Sequence, residues 1–276
     1  MLPIVLAGLA ALVWGSADFS GGKASQRANP LAVTVLSQVY GLPVLLVCLL
    51  LVPGSLRLND LAWGAGAGAS GLVGIVLLYR ALSGGAMAVA APTTAVTAAV
   101  VAIGVGLLTD DAPGVPALLG IAAAVAAIAL VSMGGGGGGR VARETVVYAV
   151  GSGVFFGAFF ALLGQATTGG GMWPLVTARV ASIGVGALWM LATRTPPKIG
   201  LRGTLWSLPA GGLDIAANAL YLAAAGRGQL SVVAAIASLY PASTVLLALI
   251  VDRERLRAIQ LAGLGFAATA LVLASS

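Results

Sequence analysis

Long apolar runs dominate this chain and limit its possible folds more than any other feature of the sequence. Ten runs are separated by short connectors rich in Gly, Pro, Asn and Asp, which favour turns. A helix needs about 20 apolar residues to cross the ~30 Å hydrocarbon core of a bilayer, whereas membrane-barrel strands alternate over about ten residues. The runs therefore predict an all-α integral membrane protein with ten transmembrane helices. The predicted spans are 2–21, 31–52, 60–80, 86–108, 114–133, 144–165, 172–193, 203–224, 229–250 and 257–274.

Composition agrees with this class and argues against several others. Charged residues make up only 8% of the chain, whereas soluble domains contain about 25%. The net charge of +6 lies in short connectors and forms no basic face, so we expect no nucleic-acid partner. The sequence has no histidine and a single cysteine, Cys48, which removes His-based metal sites, His-containing catalytic dyads and disulfides. We expect neither a metal ion nor a cofactor.

The second half of the chain repeats the first at a constant offset of 142 residues. Each half has five predicted spans, and an odd number makes the second half enter the membrane from the opposite side. Two inverted five-helix repeats are typical of secondary transporters. The residue pairs that show the repeat are Trp14 with Phe156, Gly15 with Gly157, Tyr79 with Tyr221, Ala81 with Ala223, Gly84 with Gly226, Leu107 with Leu249 and Asp110 with Asp252.

Six consecutive glycines, Gly134–Gly139, lie at the middle of the chain between the two sets of spans. Glycine loses more conformational freedom on ordering than any other residue, so this stretch is predicted to be a connector. The predicted organisation is a first five-helix half at 1–133, a Gly-rich linker at 134–143 and a second half at 144–276.

Basic residues concentrate in the connectors on one side of the predicted membrane. The connectors after the odd-numbered spans hold eleven Lys and Arg residues, and the opposite connectors hold only Arg57 and Arg227. The positive-inside rule places the eleven-charge side in the cytoplasm and both termini outside.

Ionisable side chains inside a membrane are costly, and they mark the candidate site. Asp214 lies in the middle of a predicted span, and Asn218 and Tyr221 share its helix face at i+4 and i+7. Asp18 follows Trp14 by one turn near the end of the first span. We expect these carboxylates to bind a cationic group or a proton. The alternatives are a packing role for Asp214, satisfied by a neighbouring helix, and an interfacial position for Asp18.

Further candidates come from the repeat and from proline positions. Phe156 corresponds to Trp14 at the repeat offset, and Tyr221 corresponds to Tyr79. Hydroxyl side chains flank a proline in two corresponding spans, a pattern that indicates a transport site. Local bonds to backbone groups freed by the proline are the open alternative. These hydroxyl candidates are Thr93, Thr94 and Thr97 after Pro92, and Ser238 before Pro241.

Arg179 is the one basic residue placed well inside a predicted span, 172–193. Buried charges are usually paired, so a structural role is expected. Its candidate partners are Asp214 and a helix C-terminus, and snorkelling to the interface is the alternative.

Four short motifs stand out, one in the first half and three in the second. They lie late in the first span, in the seventh span, in the ninth span, and between the ninth and tenth spans with its end inside the tenth. They are Trp14-Gly15-Ser16, Leu239-Tyr240-Pro241, Asp252-Arg253-Glu254-Arg255-Leu256 with Gln260, Gly263 and Gly265, and Arg179 five residues after Pro174.

These motifs and the two-half arrangement resemble the EamA family of the drug/metabolite transporter superfamily. The resemblance implies transport of small metabolites, such as amino acids or drug-like compounds, by alternating access. It also implies a central cavity formed by spans 1, 3, 4, 6, 8 and 9. Members of the family usually have both termini in the cytoplasm, which disagrees with the loop charges, so the orientation is left open.

The sequence thus favours a non-enzymatic secondary transporter in the cell membrane, an exporter or an uptake carrier. Its expected partners are a small-molecule substrate and the lipid bilayer, and proton coupling through Asp214 or Asp18 is a hypothesis. The alternatives are an intramembrane aspartyl protease with an Asp18/Asp214 dyad, or a scaffold or lipid scramblase without a discrete site. Substrate, direction, coupling ion and the choice between monomer and homodimer stay open.

Overall fold

The structure, a computed structural model, describes residues 1–83, 87–109, 143–166 and 168–252, with isolated positions in 115–130 and 259–269. Regular structure in the continuous ranges is helical, and no strand is found in them. The elements are α1 (Leu2–Ser25), α2 (Pro30–Tyr40), α3 (Leu42–Leu51), α4 (Leu58–Ser83), α5 (Met87–Thr109), α6 (Arg143–Gly164), a 3₁₀ turn (Thr168–Gly170), α7 (Trp173–Ala192), α8 (Gly200–Ala225), α9 (Leu230–Ala237) and α10 (Tyr240–Asp252).

Six stretches are long and apolar enough to cross a bilayer: α1, the pair α2–α3, α4, α6, α7 and α8. The all-α integral membrane class is therefore confirmed. The number of ten helices is not, because only isolated positions of predicted spans 114–133 and 257–274 are among the described residues. The glycine run of the linker 134–143 also lies outside them, and Arg143 is the first residue of α6.

Helix α1 shows how the sequence separates lipid-facing and buried surfaces. Val5, Leu9 and Leu12 are exposed, whereas Ala7 and Ala10 are fully buried. Lipid tails are as apolar as leucine, so burying large side chains gives helices in a bilayer little reason to associate. Small residues on the inner face let neighbouring backbones approach, and this close packing holds the helices together.

Two predicted spans are broken into pairs of helices. Span 31–52 breaks at Gly41, which packs against the backbone carbonyl of Gly211 in α8. Span 229–250 breaks between α9 and α10, just before Pro241. A proline without an N–H is tolerated in the first turn of the helix that follows each break. By contrast, α5 continues without a break through Pro92.

Helices of one half pack most extensively on helices of the other half. Helix α1 packs on α8 and α10, α6 packs on α4 and α5, and α4 also packs on α7. The two halves therefore interlock along their lengths, and the space between them is surrounded by helices from both.

The 142-residue repeat is visible in the packing as well as in the sequence. Gly15 of α1 meets the backbone carbonyl of Tyr240 in α10, and Gly157 of α6 meets that of Ala98 in α5. Both members of each pair are related by the same offset. A Cβ at either glycine would collide with that carbonyl oxygen, so both crossings need a residue without a side chain.

Candidate functional site

A cavity opens between the two halves, where seven helices meet. It contains about 600 Å³ of space, a figure that includes open solvent at its mouth. Gly68 and Gly71 of α4 let α7 and α6 approach this wall closely. The lining residues are Trp14, Asp18, Gln38, Gly68, Gly71, Ile75, Phe156, Phe159, Phe160, Leu175, Ala178, Arg179, Ser182, Asp214, Asn218 and Tyr240.

A buried ion pair crosses the cavity wall between α7 and α8. Arg179 Nη2 lies 2.6 Å from Asp214 Oδ2, and the two side chains are only 8% and 20% exposed. Trp14 Nε1 donates to the other carboxylate oxygen, Asp214 Oδ1, at 3.3 Å. Both oxygens of Asp214 are therefore occupied by donors. The prediction that Arg179 pairs with Asp214 is confirmed.

Gln38 extends this network to α2. Its Oε1 accepts a hydrogen bond of 2.6 Å from Arg179 Nη1, and its Nε2 donates to Ser182 Oγ, also at 2.6 Å. The amide can accept and donate at the same time, so it joins the guanidinium to a hydroxyl one turn further along α7. The network therefore fixes the positions of α1, α2, α7 and α8 around the cavity.

Asp18 is the second carboxylate of the cavity, and its situation differs from that of Asp214. It forms no hydrogen bond or ion pair with any residue in the described ranges. Arg179 is the only basic side chain among the lining residues, and Asp214 is already paired with it. With both carboxylates ionised, the lining therefore carries one uncompensated negative charge, on Asp18.

Aromatic rings form the apolar part of the site. The Trp14 ring lies 5.2 Å from that of Phe160 and 5.6 Å from that of Tyr221, measured between centroids. Phe160 also packs on Phe159 at 5.6 Å. Tyr221 lies behind this cluster, fully buried, and its hydroxyl donates to the backbone carbonyl of Phe160 at 2.9 Å.

Five of the predicted site residues line the cavity together: Trp14, Asp18, Phe156, Asp214 and Asn218. They come from three helices, α1, α6 and α8. Their convergence agrees with the sequence argument that polar groups inside apolar spans share one site.

The remaining predicted site residues lie away from this lining. Thr94 donates to the Ala149 carbonyl, and Thr97 donates to the Thr93 carbonyl, so these hydroxyls lie at the contact of α5 and α6. Ser238 donates to a carbonyl in its own helix turn. Tyr79 packs with its hydroxyl against Gly21. Thr97 and Ser238 thus make bonds within their own helices, the local contacts that the sequence left as an alternative, whereas Thr94 bonds across to α6.

Two lining residues were not singled out by the sequence analysis, Gln38 and Ser182. Gln38 is a polar amide in the middle of an otherwise apolar span, so the rule that identified Asp214 would also have found it. Ser182 offered no such signal, because serine is common on packed membrane helices. Within the described residues, no three His, Cys, Asp or Glu side chains come together as a metal site would require.

Two polar atoms of the lining residues are buried without a partner in the described part of the chain. They are Asn218 Oδ1 and Tyr240 Oη. The Asn218 amide is oriented by its nitrogen, which donates to the Asp214 backbone carbonyl at 2.7 Å. Buried polar groups normally have a hydrogen-bond partner, so these two oxygens are exceptions in the described part of the chain.

Two of the buried tyrosines, Tyr221 with a bonded hydroxyl and Tyr240 with an unbonded one, provide a direct test. We expect Tyr221→Phe to lower the free energy of unfolding by about 1 kcal/mol, because it loses the bond to Phe160. Tyr240→Phe should leave stability unchanged or raise it, because its hydroxyl has no partner in the described structure. Thermal unfolding in detergent, followed by circular dichroism, measures both. Equal losses would contradict the assignment.

Comparison with known proteins identifies the family. The EamA-like transporter family matches residues 1–133 and 144–276. Curated proteins give no match. One solved crystal structure superposes with a TM-score of 0.74 at 14% sequence identity, covering 99% of this chain and 96% of that one, a likeness that shows the fold alone. The family match confirms the resemblance seen in the sequence motifs: the chain belongs to the EamA-like transporter family of the drug/metabolite transporter superfamily.

Proposed function

We propose that this protein is a secondary transporter of small metabolites in the cell membrane, working by alternating access about the cavity. The observation that carries this proposal is the Arg179–Asp214 network, placed inside apolar helices and facing a cavity between two interlocked halves. Such buried charges are costly, and in membrane proteins they mark pathways for substrates or ions.

The two halves, 1–133 and 144–276, are the units that move in this proposal, with 134–143 as their linker. The matching glycine crossings at Gly15 and Gly157 support an inverted repeat, because each half contributes an equivalent contact to the other. Rocking of one half against the other would open the cavity to alternate sides of the membrane.

The cavity suits a small substrate with an apolar part, because aromatic rings form much of its wall. The direction of transport, export or uptake, is set by the gradient that drives it.

Proton coupling, if present, would use Asp18 and not Asp214. Both carboxylate oxygens of Asp214 are already bound, by Arg179 and Trp14, whereas Asp18 has no partner in the described ranges. The titratable groups near Asp18 are Tyr79 on α4, Tyr240 on α10 and Asp214 on α8.

The alternative functions fit this geometry less well. An aspartyl protease needs two carboxylates that share a proton, but the ion pair with Arg179 removes Asp214 from that role. A scaffold or scramblase has no need for an enclosed site with a charged network. We therefore propose a non-enzymatic carrier.

A transport screen tests the proposal. The full chain is reconstituted in proteoliposomes and given pooled labelled metabolites, with and without a proton gradient. We expect saturable uptake of at least one compound, and a loss of about tenfold or more in Asn218→Leu, which removes a polar lining group and adds bulk. Leu208→Ala, on the lipid-exposed face of the same helix, is the matched control. Uptake that is unsaturable, or equal in both variants, would contradict the proposal.

A further inference from the structure

We propose that the cavity binds a protonated primary amine, with its ammonium group against Asp18 and its apolar body against the aromatic wall. This inference rests on the proposed transport function and names the substrate class. Four observations carry it: the charge of the lining, the type of its unpartnered atoms, their grouping, and the nature of the wall.

The charge of the lining favours a cation. The positive charge of Arg179 is matched by Asp214, and its second terminal nitrogen is bound by Gln38. When Asp18 is ionised, it therefore contributes a negative charge that no basic residue in the described lining balances. A charge inside a membrane is stable only when it is paired, and a cationic ligand would provide that partner.

The unpartnered atoms of the lining residues favour a hydrogen-bond donor. They are the Asp18 carboxylate, Asn218 Oδ1 and Tyr240 Oη. A carboxylate and an amide oxygen can only accept hydrogen bonds, and a phenol can accept one. A primary ammonium group has three N–H donors and no acceptor, so it complements all three.

The three residues line the same cavity, and the helices that carry them meet near one turn of α1. Tyr240 contacts Gly15 through its backbone, one turn before Asp18. Asn218 lies one turn after Asp214 on α8. The Asp214 carboxylate accepts a hydrogen bond from Trp14, and Trp14 lies one turn before Asp18 on α1.

The wall beside this turn is aromatic. Trp14 and Phe160 pack at 5.2 Å between centroids, and Phe156 and Phe159 continue the surface. Aromatic faces attract cations and pack well against an apolar body. An amine with a ring or a short alkyl chain therefore fits both parts of the cavity.

The same geometry disfavours an amino acid that carries the same apolar group as the amine. Its carboxylate would need a free donor, but Arg179 is bound by Asp214 and Gln38. It would also lie in a cavity that already holds two carboxylates, Asp18 and Asp214. We therefore expect the amine to bind better than the corresponding amino acid.

Binding of tritiated 2-phenylethylamine to the purified full chain in detergent tests this, by scintillation proximity. Unlabelled 2-phenylethylamine, phenylalanine and 2-phenylethanol serve as competitors. We expect 2-phenylethylamine to compete at least tenfold more strongly than the other two. Asp18→Asn should weaken binding tenfold or more, Asp18→Glu should restore most of it, and Tyr240→Phe should weaken it severalfold. Ser16→Ala, on the same helix and outside the lining, should have no effect.

Several results would overturn the inference. They are equal competition by phenylalanine or 2-phenylethanol, and unchanged binding in an Asp18→Asn variant that keeps its thermal unfolding midpoint.

Uptake assays in proteoliposomes separate the two proposals. Saturable uptake of another compound without amine binding refutes the amine and leaves transport standing. Amine binding that depends on Asp18 without any uptake supports the amine site and refutes transport.

Discussion

Replacing Arg179 with methionine is expected to destabilise the protein by about 3–5 kcal/mol, because Asp214 would remain as a charge without its partner inside the membrane. Gln38 would also lose the donor to its Oε1. Arg179→Lys should recover only part of the loss, because one ammonium group cannot reproduce the geometry of two separate guanidinium nitrogens. Transport should fall in parallel, since the network lines the cavity.

A double-mutant cycle separates loss of the pair from loss of the side chain. The double variant Arg179→Met/Asp214→Leu removes both charges, so it should be less destabilised than Arg179→Met alone. Arg80→Gln is the control, because Arg80 is exposed and lies over the Trp189 ring at 5.7 Å. Unfolding in detergent mixtures is measured for the wild type, Arg179→Met, Asp214→Leu, the double variant and Arg80→Gln. An Arg179→Met variant as stable as Arg80→Gln would contradict the buried ion pair. So would a double variant whose loss in free energy of unfolding equals the sum of the losses of the two single variants.

Gly15→Ala and Gly157→Ala are each expected to cost about 3 kcal/mol, near the upper end of the usual cost of overpacking. At both positions the new Cβ would meet a backbone carbonyl, which cannot rotate away as a side chain can. The two helix crossings are equivalent in the repeat, so the two losses should be similar. Unfolding midpoints and the yield of folded protein in detergent measure them.

Gly104→Ala is the matched control for these substitutions. Within the described residues, no atom beyond the neighbouring backbone of its own helix lies within 4 Å of the Cβ position at Gly104. Alanine favours a helix more than glycine does, so this variant should be as stable as the wild type or more stable. If Gly15→Ala behaved like Gly104→Ala, α1 and α10 would not cross as described. If only one of the two crossing glycines were sensitive, the repeat would not extend to the packing.

The sequence alone was enough to predict the membrane class and the repeat. Both depend on local patterns, which are apolar runs of sufficient length and matched residues at one offset. The correspondence of Gly15 and Gly157 in the sequence repeat is also seen in the structure, because the two glycines occupy equivalent helix crossings. Asp214 and Asn218 could be placed on one helix face, since i and i+4 positions adjoin in any α-helix.

Other features depend on which helices face each other, and the sequence does not encode this locally. Thr94 and Ser238 follow the same polar pattern as Asn218, yet their hydroxyls bond to backbone carbonyls away from the lining. The two aspartates lie on α1 and α8, and their different roles depend on Arg179, which α7 brings to Asp214. Asp214 meets Arg179, and Asp18 meets no partner in the described part of the chain.

Cysteine accessibility tests the central claim, that the cavity between the halves is the transport pathway. Cys48 is the single cysteine, so Cys48→Ser gives a cysteine-free background for Ile75→Cys in the cavity and Val180→Cys on the 66% exposed outer face of α7. A membrane-impermeant maleimide is applied from either side, to intact cells and to inverted vesicles. The account predicts that Ile75→Cys is labelled from both sides and Val180→Cys from neither. Labelling of Ile75→Cys from one side only, or from neither, would contradict alternating access at this cavity.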